Sequence, residues 1–415
     1  MPLTMKLMNA LVFLYLLVSS NAWLLTPYKV AKSICRKNFL VGTAAAAAGI
    51  AIVGSATAAG AATVVANQQR RNQPTIYEPQ PSSMTDQVVL ITGGSTGLGL
   101  ESAKRLAAAG ATIVLTSRTL NKGEQAVQSV QDYLKGKGVE SSGKIFNLVL
   151  DLDDLDSVRA FPESFAQLGL SKIDVLLNNA GVMAIPDRQL TKDGYERTFQ
   201  SNHLGHFLLT AELFPYLNRD KAVVINVSSE AYLAASKTTG GLGLDLENLN
   251  GEKRYAPWSS YGLSKLSNIL FTQELQRRAD ATGENWLTAV ALHPGVVQTD
   301  LGRYVIGEEK WNKIKTSGTT GLESLLLNTV SSFLKTVPEG ASTQVFLASG
   351  AEGALKKGAF YEDLKEKKNL PAYATDKAAA RALWEKSEEL AAVKFDLTRR
   401  TTSPEAGAFE TDRES

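Results

Sequence analysis

Short, wholly apolar runs alternate with helically spaced apolar stripes through the middle of the chain. Val88-Val-Leu-Ile91 is the first such run, and Thr112–Ser117, Ile145–Leu150, Ile173–Leu177, Ala222–Ser228 and Thr288–His293 follow. Runs this short and this apolar predict strands covered on both faces of a sheet. Between them, Leu100–Ala109 reads as a helix ending at Gly110, and a longer stripe runs from Tyr261 through Leu266, Ile269 and Leu270. Strands alternating with helices predict parallel pairing with right-handed crossovers, an α/β protein with a doubly wound parallel sheet.

The ends of the chain depart from this pattern. There is no Asp or Glu before Glu78, which is unusual for a folded surface and typical of targeting sequence. Lys6, the apolar run Leu11–Val18 and the small residues Ser20-Asn-Ala22 predict a signal peptide over 1–22. Trp23 would become the new N-terminus, leading into the basic group Lys29, Lys32, Arg36 and Lys37. An aromatic residue there resembles the two-part plastid presequences of algae with complex plastids, with simple endoplasmic-reticulum entry as the alternative. The uncharged run Phe39–Ala66 is long enough to span a bilayer but consists mostly of Ala and Gly. It reads as a membrane anchor, a second cleavable signal or a low-complexity linker, and the flanking basic pairs give no orientation. Asn72–Ser83, with Pro74, Pro79 and Pro81, reads as an extended linker. Residues 84–398 are left as one catalytic domain, and 399–415 as a polar tail expected to be disordered.

Composition narrows the function. Net charge is +2 with no basic stripe, so nucleic acid is not an expected partner. The single cysteine, Cys35, excludes an intrachain disulfide and a cysteine-based metal cluster. The three histidines, His203, His206 and His293, are too scattered for a zinc site, and no metal is expected. His203 and His206 read as packing and hydrogen-bonding residues beside Asn202.

Candidate chemistry begins directly after the first strand, in Thr92-Gly-Gly-Ser-Thr-Gly-Leu-Gly99. Gly93 allows a tight turn, Gly97 and Gly99 permit close approach of backbone and helix, and the helix N-terminus favours a pyrophosphate; Ser95, Thr96 and Leu98 complete the loop. The second strand ends in Ser117-Arg118-Thr119 with Lys122 nearby, where NAD enzymes usually place an acid. Arg118 and Lys122 suit a 2′-phosphate, which points to NADP(H).

Asn178-Asn-Ala-Gly181, Asn202, Ser228-Ser229 and Tyr261-Gly-Leu-Ser-Lys265 follow in that order. Tyr-x-x-x-Lys occurs five times, but only the Tyr261 copy follows a strand ending in serines. Together these segments resemble the short-chain dehydrogenase/reductase family over about Asp86 to Leu397. The resemblance implies a Rossmann-type fold with a helical substrate-covering insert. It makes Asn202, Ser229, Tyr261 and Lys265 the catalytic set, with Ser228 as the alternative serine. It also implies that Asp151 and Leu152 hold the adenine, that Asn179, Ala180 and Gly181 line the adenosine side, and that Pro294, Gly295, Val297 and Thr299 contact the nicotinamide side. Tyr261 would donate a proton to a carbonyl oxygen, Ser229 would orient it, and Lys265 would stabilise a phenolate and hold the nicotinamide ribose. Asn202 would anchor a water chain to Lys265.

The long stretch Asp245–Tyr255 and the motif Asn268–Glu274 resemble the retinol dehydrogenase, WW-domain oxidoreductase and protochlorophyllide reductase branch. The expected function is an NADP(H)-dependent oxidoreductase acting on an apolar carbonyl or alcohol. The alternatives are a light-dependent protochlorophyllide reductase, disfavoured by the thiol-free domain, and an NADP(H)-sensing interaction protein of the plastid. Leu301–Val337 reads equally as an apolar substrate lid or as ordinary amphipathic helices. Family members commonly pair through long helices, so the resemblance also suggests a homodimer.

Overall fold

The computed structural model describes residues 76–139, 143–297, 335–350 and 355–400. Residues 77–294 and 341–415 form one compact unit, and 1–76 with 295–340 form a second. The described part of the second unit is small: Val297 pairs with Lys335 in an isolated bridge, and the Lys335 N–H donates to the Val296 carbonyl at 2.8 Å. The leader, the Phe39–Ala66 run, Thr299, most of the 301–337 insert and the 401–415 tail lie outside the described residues.

One eight-stranded sheet organises the first unit, in the order β3-β2-β1-β4-β5-β6-β7-β8. Its strands are β1 (Val88–Ile91), β2 (Thr112–Ser117), β3 (Ile145–Val149), β4 (Val175–Asn178), β5 (Ala222–Val227), β6 (Leu287–His293), β7 (Phe360–Glu362) and β8 (Lys365–Glu366). Every pair is parallel except β7 with β8. The order reverses between β1 and β4, so a crevice opens there at the carboxyl ends of the strands. The six strands read from the sequence are all present, shifted by a residue or two at some ends. Both β7 and β8 escaped that reading because they are too short to show a period.

Helices cover both faces: α1 (Gly97–Ala108), α2 (Leu120–Gly136), α3 (Leu155–Ala166), α5 (Pro257–Ala281), α6 (Val337–Ser349) and α7 (Lys377–Leu390). Between α3 and α5, α4 opens as Arg197–Phe199, widens through a π turn at Gln200–Leu204 and continues as Gly205–Leu213. Strand residues alternate between two cores, as the pleat requires. Leu90, Val114, Leu176 and Val224 join the core of Phe207, Leu270 and Trp384, whereas Val89, Ile113, Val175 and Val223 join that of Leu106, Val130 and Val345.

One expectation needs correction. The linker does not reach Ser83: the Tyr77 N–H donates to Ser342 Oγ at 3.1 Å, its ring meets Phe346 edge-on at 5.3 Å, and Met84 is buried. Arg105, fully buried, holds this segment by donating to the Tyr77 carbonyl at 3.1 Å. Asp153 is tied to the start of α4 through Arg197 at 2.9 Å and through the Ser201 hydroxyl. Finally, an outward face of the long helices α4 and α5 is covered by the chain itself. Trp384 of α7 packs on Phe207 at 5.1 Å, Phe271 at 5.8 Å and Phe395 at 4.8 Å, beneath the Arg278 guanidinium.

Candidate active site

The crevice at the β1–β4 reversal is built from the glycine-rich turn. Gly93 sits at φ +63°, and a Cβ there would lie 3.0 Å from Ala180 Cα; a Cβ on Gly99 would lie 2.5 Å from the Gly93 carbonyl oxygen. Only glycine leaves this space open. Gly97, at φ +55°, begins α1. Thr96 provides no side-chain cap, and the first turn carries no acid, so this helix end suits an external anion. Ser95 is half-buried in the turn, and the Leu98 carbonyl accepts from Gln344 at 3.1 Å. These features fit a dinucleotide pyrophosphate.

Thr92 locks the turn to the end of β4. Its hydroxyl oxygen accepts the N–H groups of Asn179 and Ala180 at 2.9 and 3.0 Å, and Asn179 Nδ2 returns a bond to the Thr92 carbonyl at 2.8 Å. Asn178 runs the other way, donating to Asn226 at 2.8 Å and to Thr210 at 3.1 Å, which ties β4 to β5 and α4. His206, read from the sequence as a packing and hydrogen-bonding residue beside Asn202, also reaches across to the glycine-rich turn. Its Nε2 lies 2.8 Å from the Thr92 hydroxyl and its Nδ1 lies 3.0 Å from the Asn202 carbonyl. The signal that could have found it is its i+4 spacing from Asn202.

Arg118 and Lys122 are exposed at the end of β2 and the start of α2, and neither pairs with an acid among the described residues. Asp151 follows β3 and accepts the Asp153 N–H at 3.0 Å, and Leu152 is buried with its carbonyl bonded to Gln200. Pro294 follows β6, and Gly295 adopts φ +91°.

The structure separates the two serines. The Ser228 hydroxyl is buried and donates to the Lys265 carbonyl at 2.7 Å, a structural bond between β5 and α5. Ser229 is half-buried and faces Tyr261. Burial pushes the Tyr261 phenol up to about 12, with the Ser229 hydrogen bond opposing that rise. Burial lowers Lys265 to about 7. Its ammonium lies 5.7 Å from the Tyr261 ring centroid and donates to the Val227 carbonyl at 3.0 Å.

Asn202 sits in the π turn and is fully buried. Its Nδ2 donates to the Val182 carbonyl and to Ser264, each at 2.9 Å, and its Oδ1 accepts the Val182 N–H at 2.8 Å. The side chain is thus committed to the loop after β4. Gly181 lies against both Asn202 and Lys265: a Cβ on Gly181 would lie 2.9 Å from Asn202 Oδ1 and 3.5 Å from Lys265 Nζ. The other Tyr-x-x-x-Lys copies among the described residues lie apart from Ser229: Tyr133 is on α2, Tyr361 on β7 and Tyr373 just before α7.

A parallel sheet with a glycine-rich turn at its reversal point and a Ser–Tyr–Lys group beside it defines a nicotinamide-dependent oxidoreductase. The family model described as short chain dehydrogenase matches residues 87–241. Human retinol dehydrogenase 14 is 37% identical over 317 residues, covering 74% of this chain and 87% of its own length. Human polyprenol dehydrogenase is 33% identical over 346 residues, covering 82% of this chain and 96% of its own. A solved but uncharacterized protein from Mycobacterium paratuberculosis is 33% identical with a TM-score of 0.55, covering 77% of this chain and 99% of that one. The chain belongs to the short-chain dehydrogenase family, on its retinol dehydrogenase branch, and is an oxidoreductase of alcohol and carbonyl groups.

Proposed function

We propose that the protein transfers hydride between NADP(H) and a long apolar alcohol or aldehyde of the retinoid or polyprenol kind. The observation that carries this reading is the buried Tyr261–Lys265 pair facing a half-buried Ser229, with Ser228 diverted into a structural bond. The names of the most similar relatives support the apolar substrate class. When bound, the nicotinamide supplies or accepts the hydride. Ser229 orients the substrate oxygen, and Tyr261, which burial keeps protonated at neutral pH, donates a proton to that oxygen during reduction. Lys265 supplies positive charge near the phenol, and Asn202 shapes the loop that closes around it. Arg118 and Lys122, exposed and unpaired among the described residues, support preference for the 2′-phosphate. The leader supports entry into the secretory route, with a plastid or the endoplasmic reticulum as destination.

The test is NADPH consumption by the full-length protein with all-trans-retinal, alongside Tyr261→Phe. Turnover by the parent protein is expected, with loss on the order of 10² to 10⁴ in the variant. Near-normal turnover by Tyr261→Phe would falsify the catalytic assignment.

A further inference from the structure

Four charged or titratable side chains meet beside the turn that carries Ser229. Glu230 opens the short 3-10 turn Glu230–Ala234, His293 ends β6, Glu362 ends β7, and Lys367 follows β8. The Lys367 ammonium is 3.2 Å from a Glu230 carboxylate oxygen and 2.7 Å from one of Glu362. His293 is buried and is the register partner of Glu362 across β6 and β7. Its Nδ1 accepts the Glu230 N–H at 3.2 Å, and its Nε2 lies 3.9 Å from Glu362. Lys367 is itself fixed, since its N–H donates to the Phe360 carbonyl at 2.8 Å. The Glu–His–Glu ligand atoms lie within 4.8 Å of one another, a spacing that could suit a metal ion. The Lys367 ammonium already binds both carboxylates, so the cluster carries its own cation.

The backbone gives the cluster its purpose. Ser229 is extended, at φ −161° and ψ 151°, and its own hydroxyl oxygen accepts the Ala231 N–H at 3.2 Å. The N–H between them, that of Glu230, goes to His293. The direction in which Ser229 presents its hydroxyl therefore depends on a turn whose next two N–H groups are held, one by Ser229 and one by His293.

We propose that Glu230, His293, Glu362 and Lys367 form a positioning device that holds Ser229 in register with Tyr261 by anchoring its turn to the ends of β6 and β7. This rests on Ser229 being the hydroxyl that orients the substrate oxygen. Lys367 is the keystone, because its ammonium bonds both carboxylates. Burial raises Glu230, the neighbouring Glu362 and Asp363 add to that rise, and Lys367 opposes it. Tyr232, pushed up to about 12 mainly by burial, and Tyr373, also raised by burial, contribute no counter-charge. Without the ammonium, Glu230 loses the charge that opposes its rise and is pushed further up.

The experiment compares Lys367→Met, Lys367→Arg, Glu362→Gln and Ser229→Ala in the full-length protein, using NADPH and all-trans-retinal. Lys367→Met is expected to lower kcat on the order of 10²-fold, with NADPH affinity unchanged by fluorescence titration. Its pH–rate profile should gain a second ionisation, from Glu230, beyond the one that Lys265 gives the parent. Lys367→Arg should restore both kcat and the parent profile. Glu362→Gln should lower kcat without the new ionisation, and it serves as the test if Lys367→Met does not fold. A collapsed Ser229→Ala beside a fully active Lys367→Met overturns the positioning device and leaves the serine assignment standing. A fully active Ser229→Ala overturns the serine assignment itself. Parallel loss of kcat and NADPH binding in Lys367→Met, unrescued by arginine, marks an ordinary structural contact and also overturns the proposal.

Discussion

Tyr261 and Lys265 sit on successive turns of one helix, yet burial moves them in opposite directions. A phenol held up at about 12 keeps its proton, which suits reduction; an ammonium held down at about 7 loses charge as pH rises through neutrality. Reduction initial rates should therefore fall from about pH 6 to about pH 9, while alcohol oxidation, which needs Tyr261 to accept a proton, should climb. Parallel trends in both directions would show that another group governs the profile. Arg118 makes a second case at this scale. Arg118→Ala should weaken NADPH binding by about 1.5–3 kcal/mol, the range for a hydrogen bond to a charged group, and leave NADH binding nearly unchanged. Equal affinity of the parent for both nucleotides would remove the basis for that expectation. The residues proposed to carry the chemistry were legible because their types and order are demanding. Some of their partners were not: Thr92 meets His206 across 114 positions of chain and Lys367 meets Glu230 across 137, and no local pattern announces such pairs.

At the scale of elements, α4 joins acid sensitivity to the site. Burial lowers His203 to about 3 and His206 to about 4, against 6.5 for the free side chain. Both are neutral when folded and free to protonate when unfolded, so they stabilise the fold above about pH 6.5 and lose that contribution as pH falls toward 4. Thermal melts should therefore show a Tm declining over that interval, together worth on the order of a few kcal/mol. His206→Gln should flatten part of the decline, and an unchanged slope would exclude His206 as its source. Helix α7 gives a second prediction. Trp384 is only 2% exposed, so Trp384→Ala should cost roughly 3–5 kcal/mol by denaturant unfolding. Trp384→Phe should cost much less, since the indole nitrogen is buried with no partner among the described residues. A small loss in Trp384→Ala would mean that α7 is loosely held. The long elements were legible because burial on both faces leaves uninterrupted apolar runs. β7 and β8 were not, because three and two residues carry no periodicity, and β7 joins the sheet only through β6, far away in sequence.

For the whole molecule, the leader and the catalytic unit obey different rules. Everything before Glu78 lacks acids, and Tyr77 is tied into the sheet unit through Arg105 and Ser342. Among the described residues no helix is long and apolar enough to cross a membrane, and the Phe39–Ala66 run lies outside them. A fusion of residues 1–80 to a fluorescent protein, expressed in an alga with complex plastids, should enter the secretory route. Cytosolic fluorescence would overturn the leader reading, and an endoplasmic-reticulum pattern would keep the signal and reject the plastid. Trp23→Asp then tests whether the aromatic residue matters for plastid import.

The covering of α4 and α5 by α7 has a consequence for how the chain is made. Phe207 and Phe271 are synthesised more than a hundred residues before Trp384 and Phe395, which complete their packing. Until the last part of the chain leaves the ribosome, the emerging polypeptide carries a greasy helical surface with nothing to lie on. Such a nascent chain is a natural client for chaperones, and one stopped early is prone to stick to its neighbours. A premature stop after Lys367 would spare every residue of the Ser–Tyr–Lys group and still yield aggregated protein. Damage at the far end of the gene would therefore be felt as lost abundance rather than as altered chemistry.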